Sequence, residues 1–383
     1  MNTKDSVEEI GEGEVVIDIP CVDASSNFPP SSAPVFYNPH MKPNRDISVA
    51  AVSAFMRLYP AKEGRDITYI DALAATGIRG IRIAKETDAG VVLNDLSPAA
   101  CEMISHNVGK NGIDCEVVNE NANVILHKRR FDIVDLDPFG TPVPFLDSAV
   151  SSVKSLLCVT ATDTAPLCGA HKNSGIRTYA AVALNNEYHG EMGLRILLGT
   201  IARTFAKYDR TMVPLLTYAS RHYVRTYLRV VKGAKSADSM MKLMGFVSHC
   251  NNCGHRTFHY GLLPQLPKSC ELCNEKVTAA GPLWLGSMHD TDFCDATLDE
   301  IGRRGFSKLC VDIVTLCRDE VDVPFFFDHH VVCKNIGRSP GKIDELISLL
   351  KEHGFRASRT HVTGTGFKTD ARIDAIDAVI KQM

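Results

Sequence analysis

The sequence predicts a doubly wound α/β protein, and three observations carry that prediction. Between residues 65 and 161, short apolar strands alternate with helical stretches of roughly 10–15 residues, the spacing of a parallel sheet. IDALAATGIRGIRIA (70–84) runs from an apolar strand through a turn of small residues into a helix. FDIVDLDPFG (131–140) ends another strand in two carboxylates, a proline, an aromatic ring and a glycine. Open sheets of this kind bind their ligands beyond the carboxyl ends of the strands, which is where that last cluster falls.

The elements follow in order. ISVAAVSAFMRLYP reads as a helix from about residue 47, stopped by Pro60. Strand ITYIDALA, a helix from Gly77 to Thr87, strand GVVLNDL and a helix from Pro98 to Gly109 come next. Strands DCEVVNE and RFDIVDLDP, helix PFLDSAVSSVKS and strand LLCVTATD complete the alternation. A helix near 189–207 precedes two strand-like runs, 211–219 and 221–232. Before all of these, residues 1–30 read as an acidic, then Ser/Pro-rich loop. After Lys232 a short helical stretch leads into a Gly/Pro-rich region with four cysteines, and residues 291–383 read as mostly helical with a strand at FRASRT (355–360). The expected division is therefore 1–232 as the main α/β domain, 233–290 as a zinc-ribbon-like segment, and 291–383 as a smaller, mostly helical α/β domain.

Bulk composition narrows the partners. The chain has 383 residues, 45% hydrophobic and 23% charged, enough for an ample core. A net charge of −3 means that any nucleic acid must be met by a local basic patch. The first residues are acidic and lack an apolar stretch, and no apolar run reaches the roughly 18–20 residues of a membrane span. A cytoplasmic protein without a membrane partner is expected, and nothing points to an obligate protein partner. Thirteen cysteines in a reducing compartment favour metal binding over disulfides.

In TGIRG, Gly77 and Gly80 let the backbone approach a ligand, and the helix start offers free N–H groups. About twenty residues on, Asn94-Asp95 ends a strand where an acid can hold ribose hydroxyls. That pattern suits a dinucleotide dehydrogenase as well as a methyltransferase. A complete G-x-G-x-x-G is missing, however, and Arg79 suits a ligand that bears a carboxylate. The plain alternative is a tight turn between strand and helix.

Asp137-Pro138-Phe139 has a chemistry of its own. The exocyclic amine of a base is a poor nucleophile because its lone pair is delocalised into the ring. Accepting hydrogen bonds from both of its N–H groups turns the lone pair outward. Asp137 can provide one acceptor and the Pro138 carbonyl the other, with no proline N–H to compete. Phe139 offers a face for the base. An Asp that merely caps a turn would explain Asp137 but not its two neighbours. Asp135 receives no role.

Cys250 and Cys253, then sixteen residues, then Cys270 and Cys273, have the spacing of a closed tetrahedral zinc site, structural in kind. Cys168 reads as a packed small residue rather than a nucleophile. Strand periodicity in RHYVRTYLR places Arg221, Tyr223, Arg225, Tyr227 and Arg229 on one face. That face, with Lys128-Arg129-Arg130, is the best candidate for phosphate contact and base stacking. The plain alternative is a solvated sheet face. GTGFKTD (364–370) lacks the pattern of a phosphate loop and is set aside.

Taken together, VFYNPHMKPNRDIS, ALAATGIRGIR, LNDLS, DLDPFGTP and VTATDTAPLCGAH resemble the tRNA guanine-26 N2-dimethyltransferase family, from about Val35 to GPLWLG at 281–286. The resemblance implies a Rossmann-like class I methyltransferase sheet, S-adenosyl-L-methionine as methyl donor and tRNA as partner. It also implies two methylations of the guanine N2 amine, giving N2,N2-dimethylguanosine through the N2-methyl intermediate, and a C-terminal domain that docks tRNA. By position it implies that Arg45 and Arg79 contact the donor, that Asp95 holds its ribose, and that Asn121 and Ala122 flank its adenine. Asp137 would be catalytic, with Phe36 and Phe139 bracketing the base. Two other readings remain open. An amino-directed methyltransferase for DNA or ribosomal RNA would use the same Asp-Pro-aromatic logic. A non-catalytic, zinc-stabilised RNA-binding protein would not bind the donor at all.

Overall fold

The computed structural model describes residues 7–21, 35–61, 65–220 and 222–383. Strands β1 (Val7–Glu12) and β2 (Val15–Pro20) form an antiparallel hairpin, where the sequence reading had a loop. Val15, Ile17 and Ile19 alternate inward with a strand period, and this signal was masked by the acidic residues around it. The Ser/Pro run that follows lies outside the described residues.

Helix α1 (Lys42–Leu58) precedes β3 (Thr68–Asp71), α2 (Ile78–Glu86), β4 (Gly90–Asp95), α3 (Pro98–Lys110) and β5 (Glu116–Asn119). Helix α4 (Ala122–Lys128), β6 (Ile133–Leu136), α5 (Leu146–Ser152) and β7 (Leu156–Ala161) follow. After α6 (Thr164–Leu167), α7 (Lys172–Tyr179) and α8 (His189–Ala206) come β8 (Arg210–Ser220) and β9 (Tyr223–Lys232). The seven-stranded sheet has the order β5-β4-β3-β6-β7-β9-β8, and its first five strands pair in parallel. The order reverses between β3 and β6, which makes the ends of those two strands the topological switch point.

Helix α9 (Ala234–Met241) leads to a three-stranded sheet ordered β11 (Arg256–Tyr260), β10 (Met244–Cys250), β12 (Val277–Trp284). Helices α10 (Thr291–Arg304) and α11 (Lys308–Asp319) are followed by β13 (Phe327–Asp328), α12 (His329–Asn335), α13 (Ile343–Glu352), β14 (Ala357–Arg359), β15 (Gly366–Thr369) and α14 (Ile373–Ile380). Among the described residues no helix is long and apolar enough to cross a membrane.

The chain forms two compact units. One comprises Met1–Thr160, Tyr227–Val230 and Asp292–Val314, the other Ala161–Thr226, Val231–Thr291 and Thr315–Met383. The bounds of the two units interleave along the chain. In the first unit, helix α10 is tied down by Arg304, which donates to Ser53 Oγ at 2.9 Å and to the Glu86 carbonyl at 2.8 Å.

The second unit is organised around a buried charge lattice. Lys368 Nζ lies 3.2 Å from Glu191 and 3.0 Å from Glu320, and Arg195 Nε donates to Glu191 at 2.8 Å. Glu191 also accepts from the N–H groups of Phe325 and Phe326. Its buried lysine comes from GTGFKTD, which explains why that segment has a lysine without being a phosphate loop.

Candidate active site

The ends of β3, β4 and β6 are stitched together by their own backbone. Ala72 N donates to the Asp135 carbonyl at 3.1 Å, and Ala74 N to the Asn94 carbonyl at 2.9 Å. The Asn94 amide spans two loops, donating to the carbonyls of Ala72 and Glu120. Gly77 closes the turn at φ +81 as the N-cap of α2, a left-handed conformation suited to glycine. Gly80 serves the packing of the helix. A Cβ there would meet Leu93 Cδ2 at 2.2 Å and Asp71 Cβ at 3.2 Å, so this glycine lets α2 pack on the sheet.

Asp95 sits at the end of β4 with both oxygens engaged, Oδ2 by Ala75 N and Oδ1 by Ser97 N, each at 2.9 Å. Its carboxylate is therefore fixed in place with lone pairs remaining. Asn121 is exposed and its side chain accepts from Asn123 N, making it the N-cap of α4, with Ala122 buried behind it. Helix α4 itself was missed in the sequence, where Asn121 was read only as a ligand contact.

Asp137 follows β6 and is partly exposed. Its Oδ2 accepts from Nη2 of the buried Arg79, and Nη1 of Arg79 donates to Ser48 Oγ at 2.6 Å. Pro138 is buried, while Phe139 stands 62% exposed with its ring centroid 4.3 Å from that of Phe36, edge to face. An aromatic pair with one ring exposed, beside a carboxylate, is the surface at which a flat ring can be received. Arg45 points its Nε and Nη2 to both oxygens of Glu12 at 2.7 Å, and its Nη1 to the Asn38 carbonyl. Glu12 also accepts from Arg82 at 2.9 Å, and the two guanidiniums hold its carboxyl below the usual range despite its burial. Glu12 escaped the sequence reading because its partners are 33 and 70 residues away.

Near Asp137 lies a pair of buried acids. Asp71 and Asp135 are in register on neighbouring strands and both are buried. Tyr69 Oη donates to Asp135 at 2.9 Å, and Gly80 N to Asp71 at 3.2 Å. Burial, reinforced by the charge of Asp135, pushes the Asp71 carboxyl up to about 7. Asp135, without a role in the sequence, thus anchors Tyr69.

The basic face read in RHYVRTYLR is corrected. Tyr223, Arg225 and Tyr227 are buried, Arg229 lies with its guanidinium 5.3 Å from the Tyr59 ring centroid, and Arg221 is outside the described residues. Alternation groups these side chains on one face but does not reveal that a further layer covers it. The run at 128–130 is also largely neutralised. Lys128 pairs with Glu120, Arg129 is bidentate on Glu116, and Arg130 donates to Ser151. Cys168, pushed up to about 11 mainly by burial, stays a thiol, in keeping with a packing role.

The four cysteines at 250–273 converge on two matching knuckles. Gly254 N donates to the Cys250 carbonyl and Asn274 N to the Cys270 carbonyl, each at 2.9 Å. Sulfur separations of 3.5 Å (Cys250–Cys273) and 3.6 Å (Cys253–Cys270 and Cys253–Cys273) are close to those of thiolates around one tetrahedral ion. The donor set thus fits zinc. A second group, His289, Cys317 and His361, offers ligand atoms within 4.8 Å of one another. There, however, His361 is engaged at both ring nitrogens, Nδ1 with Glu320 at 2.6 Å and Nε2 with Ala219 N at 3.2 Å, and belongs to the charge lattice.

A profile of the family described as N2,N2-dimethylguanosine tRNA methyltransferase matches residues 13–381. The tRNA (guanine(26)-N(2))-dimethyltransferase of Methanosarcina mazei is 51% identical over 378 residues, which cover 97% of this chain and 97% of that protein. The corresponding enzyme of Methanosarcina barkeri is 50% identical over 381 residues, with 98% of each chain covered. The solved complex of Trm1 from Pyrococcus horikoshii with S-adenosyl-L-methionine superposes with a TM-score of 0.84 at 36% identity, covering 97% of this chain and 99% of that one. With the family profile matched over residues 13–381 and about half of the residues identical across nearly the whole chain, the chain belongs to the N2,N2-dimethylguanosine tRNA methyltransferase family.

Proposed function

We propose that this protein methylates the exocyclic N2 amine of guanine 26 in tRNA twice, through the N2-methyl intermediate, to give N2,N2-dimethylguanosine. The methyl groups come from S-adenosyl-L-methionine, whose sulfonium provides an electrophilic methyl. The observation that carries the assignment of the site is the position of Asp137, at the switch point of the sheet beside Arg79 and the Phe36–Phe139 pair.

Arg79 occupies one oxygen of Asp137, leaving the other to accept an N–H of the target amine, while the Pro138 carbonyl accepts the second. The lone pair then faces the incoming methyl, and the carboxylate balances charge developing on nitrogen. Phe36 and Phe139, whose rings meet edge to face, part to take the guanine between them. Extruding a stacked guanine from folded tRNA costs a few kcal/mol, and this aromatic pair offsets part of it.

On the donor side, Asp95 holds the ribose, and Arg45 and Arg79 meet the methionine part. Asn121 and Ala122 flank the adenine at the start of α4. Cys250, Cys253, Cys270 and Cys273 hold a structural zinc whose four thiolates leave no open coordination position. Docking of tRNA falls to the C-terminal residues. Lys334, Arg338 and Lys342 stand exposed along one short stretch, with no ion pair among the described residues. They are suited to phosphate contact in an otherwise acidic protein.

Turnover of Asp137→Asn tests the assignment. It should fall by about 10²-fold or more while equilibrium binding of the donor is nearly kept, because the lost interaction acts in the transition state. Near-normal turnover would remove Asp137 from the catalytic role.

A further inference from the structure

We infer that Ser48 and Tyr227 are positioning residues for methyl transfer, acting on Asp137 through Arg79. The inference rests on the catalytic reading of Asp137 given above.

Three elements converge on one buried oxygen. Ser48 Oγ, on α1, donates its single proton to the Asn44 carbonyl at 2.7 Å. Its two lone pairs are both taken. Nη1 of Arg79, on α2, donates to one at 2.6 Å, and Tyr227 Oη, on β9, lies 2.9 Å away at the other. With the Ser48 proton on the Asn44 carbonyl, the arrangement that satisfies all three contacts has Tyr227 donating to Ser48 Oγ. Ser48, Arg79 and Tyr227 are all buried, so water does not stand in for a missing partner.

The consequence reaches Asp137. A guanidinium is planar, so holding Nη1 on Ser48 fixes the plane in which Nη2 meets Asp137 Oδ2. Pinning that oxygen sets the direction of the carboxylate, and with it the oxygen offered to the target amine. Removing the Ser48 hydroxyl leaves the charge of Arg79 in place but frees its plane. Misplacement of an accepting oxygen by about 1 Å can cost on the order of 10²-fold in rate. Tyr227 thereby has a different role from the base-stacking surface its alternation pattern had indicated.

Two variants test this, because Tyr227→Phe keeps the ring and loses one oxygen while Ser48→Ala removes the hub itself. Turnover number, donor affinity by equilibrium binding and melting temperature are measured for both, with Asp137→Asn alongside. Ser48→Ala should lower kcat by about 10²-fold and Tyr227→Phe by about 5–10-fold. Donor affinity should change by much less than kcat in each. Adding Ser48→Ala to Asp137→Asn should cost little more, since both changes remove the same oriented acceptor. Wild-type kcat in both variants while Asp137→Asn is slow would overturn the inference and leave the catalytic reading intact. A full additional loss in the double variant, or a fall in donor affinity as large as the fall in kcat, would likewise overturn it. Full turnover in Asp137→Asn would instead defeat the catalytic reading itself.

Discussion

Arg79 donates to Asp137 across 58 residues of sequence, joining the start of α2 to the loop after β6. In the sequence the two residues carry separate signals, one for the donor and one for the acceptor. Their pairing makes the guanidinium a shared wall of both half-sites. Arg79→Lys should therefore raise the donor KM and lower kcat together, because an ammonium cannot hold Ser48, Asp137 and a donor carboxylate in one plane. Steady-state kinetics with donor concentration varied at saturating tRNA would show the two effects, and a change in KM alone would confine Arg79 to the donor.

Glu12 bridges Arg45 and Arg82, and all three side chains are buried. Removing one charge from such a cluster costs about 3–5 kcal/mol, because the remaining charges stay desolvated. Glu12→Gln should lower the melting temperature and raise the donor KM by releasing Arg45. Thermal melting followed by donor titration checks both.

Asp71 gives a pH prediction with a definite sign. Its carboxyl lies at about 7 in the fold, against 3.8 as the reference for a free side chain. In that window the folded state retains a proton that the unfolded state has lost, so this group's contribution to stability falls as pH rises from about 4 to about 7 and then levels off. Asp71→Asn, which keeps an acceptor for Gly80 N–H, should melt higher than the wild type at pH 8. The margin should narrow at pH 5. Equal margins at both values would contradict the burial argument.

Metal removal should act locally. Cys250→Ser, or a strong chelator, should release one zinc per chain and loosen β10–β12, visible as faster hydrogen exchange over residues 244–284. Mass spectrometry for metal content and exchange on the same sample would suffice. Wild-type protein that is metal-free and fully folded would contradict the zinc assignment.

The basic residues at the end of α12 and in the α12–α13 connection should set part of the tRNA affinity. Replacing Lys334, Arg338 and Lys342 by Glu should weaken binding at low salt and flatten the dependence of log K on log salt. Filter binding across a salt series measures the slope, and an unchanged slope would move the phosphate contacts elsewhere.

What was legible in the sequence was local. The strands from β3 to β7 were found because their apolar runs are short and bounded by turn residues, and the Cys250–Cys273 cluster because metal ligands come in close-spaced pairs. Asp95 and Asp137 stand out in the sequence because loops beyond parallel strands are where ligands meet a sheet. Long-range contacts were not legible. Neither Glu12 beneath Arg45 nor Ser48 beneath Arg79 leaves a periodic trace, since each pairing depends on how distant segments pack. The face containing Tyr223, Arg225 and Tyr227 shows the same limit. A period of two identifies side chains that share a face and says nothing of what covers it.

The central claim is the modified atom. Two transcripts of one tRNA, with guanine or adenine at position 26, are incubated with the enzyme and labelled donor, digested, and the methylated nucleoside is identified and mapped. The account predicts N2,N2-dimethylguanosine at position 26 of the first transcript only, preceded in time by the N2-methyl form, and almost none with Asp137→Asn. Equal label in the adenine transcript, or label on another atom of the guanine, would contradict it.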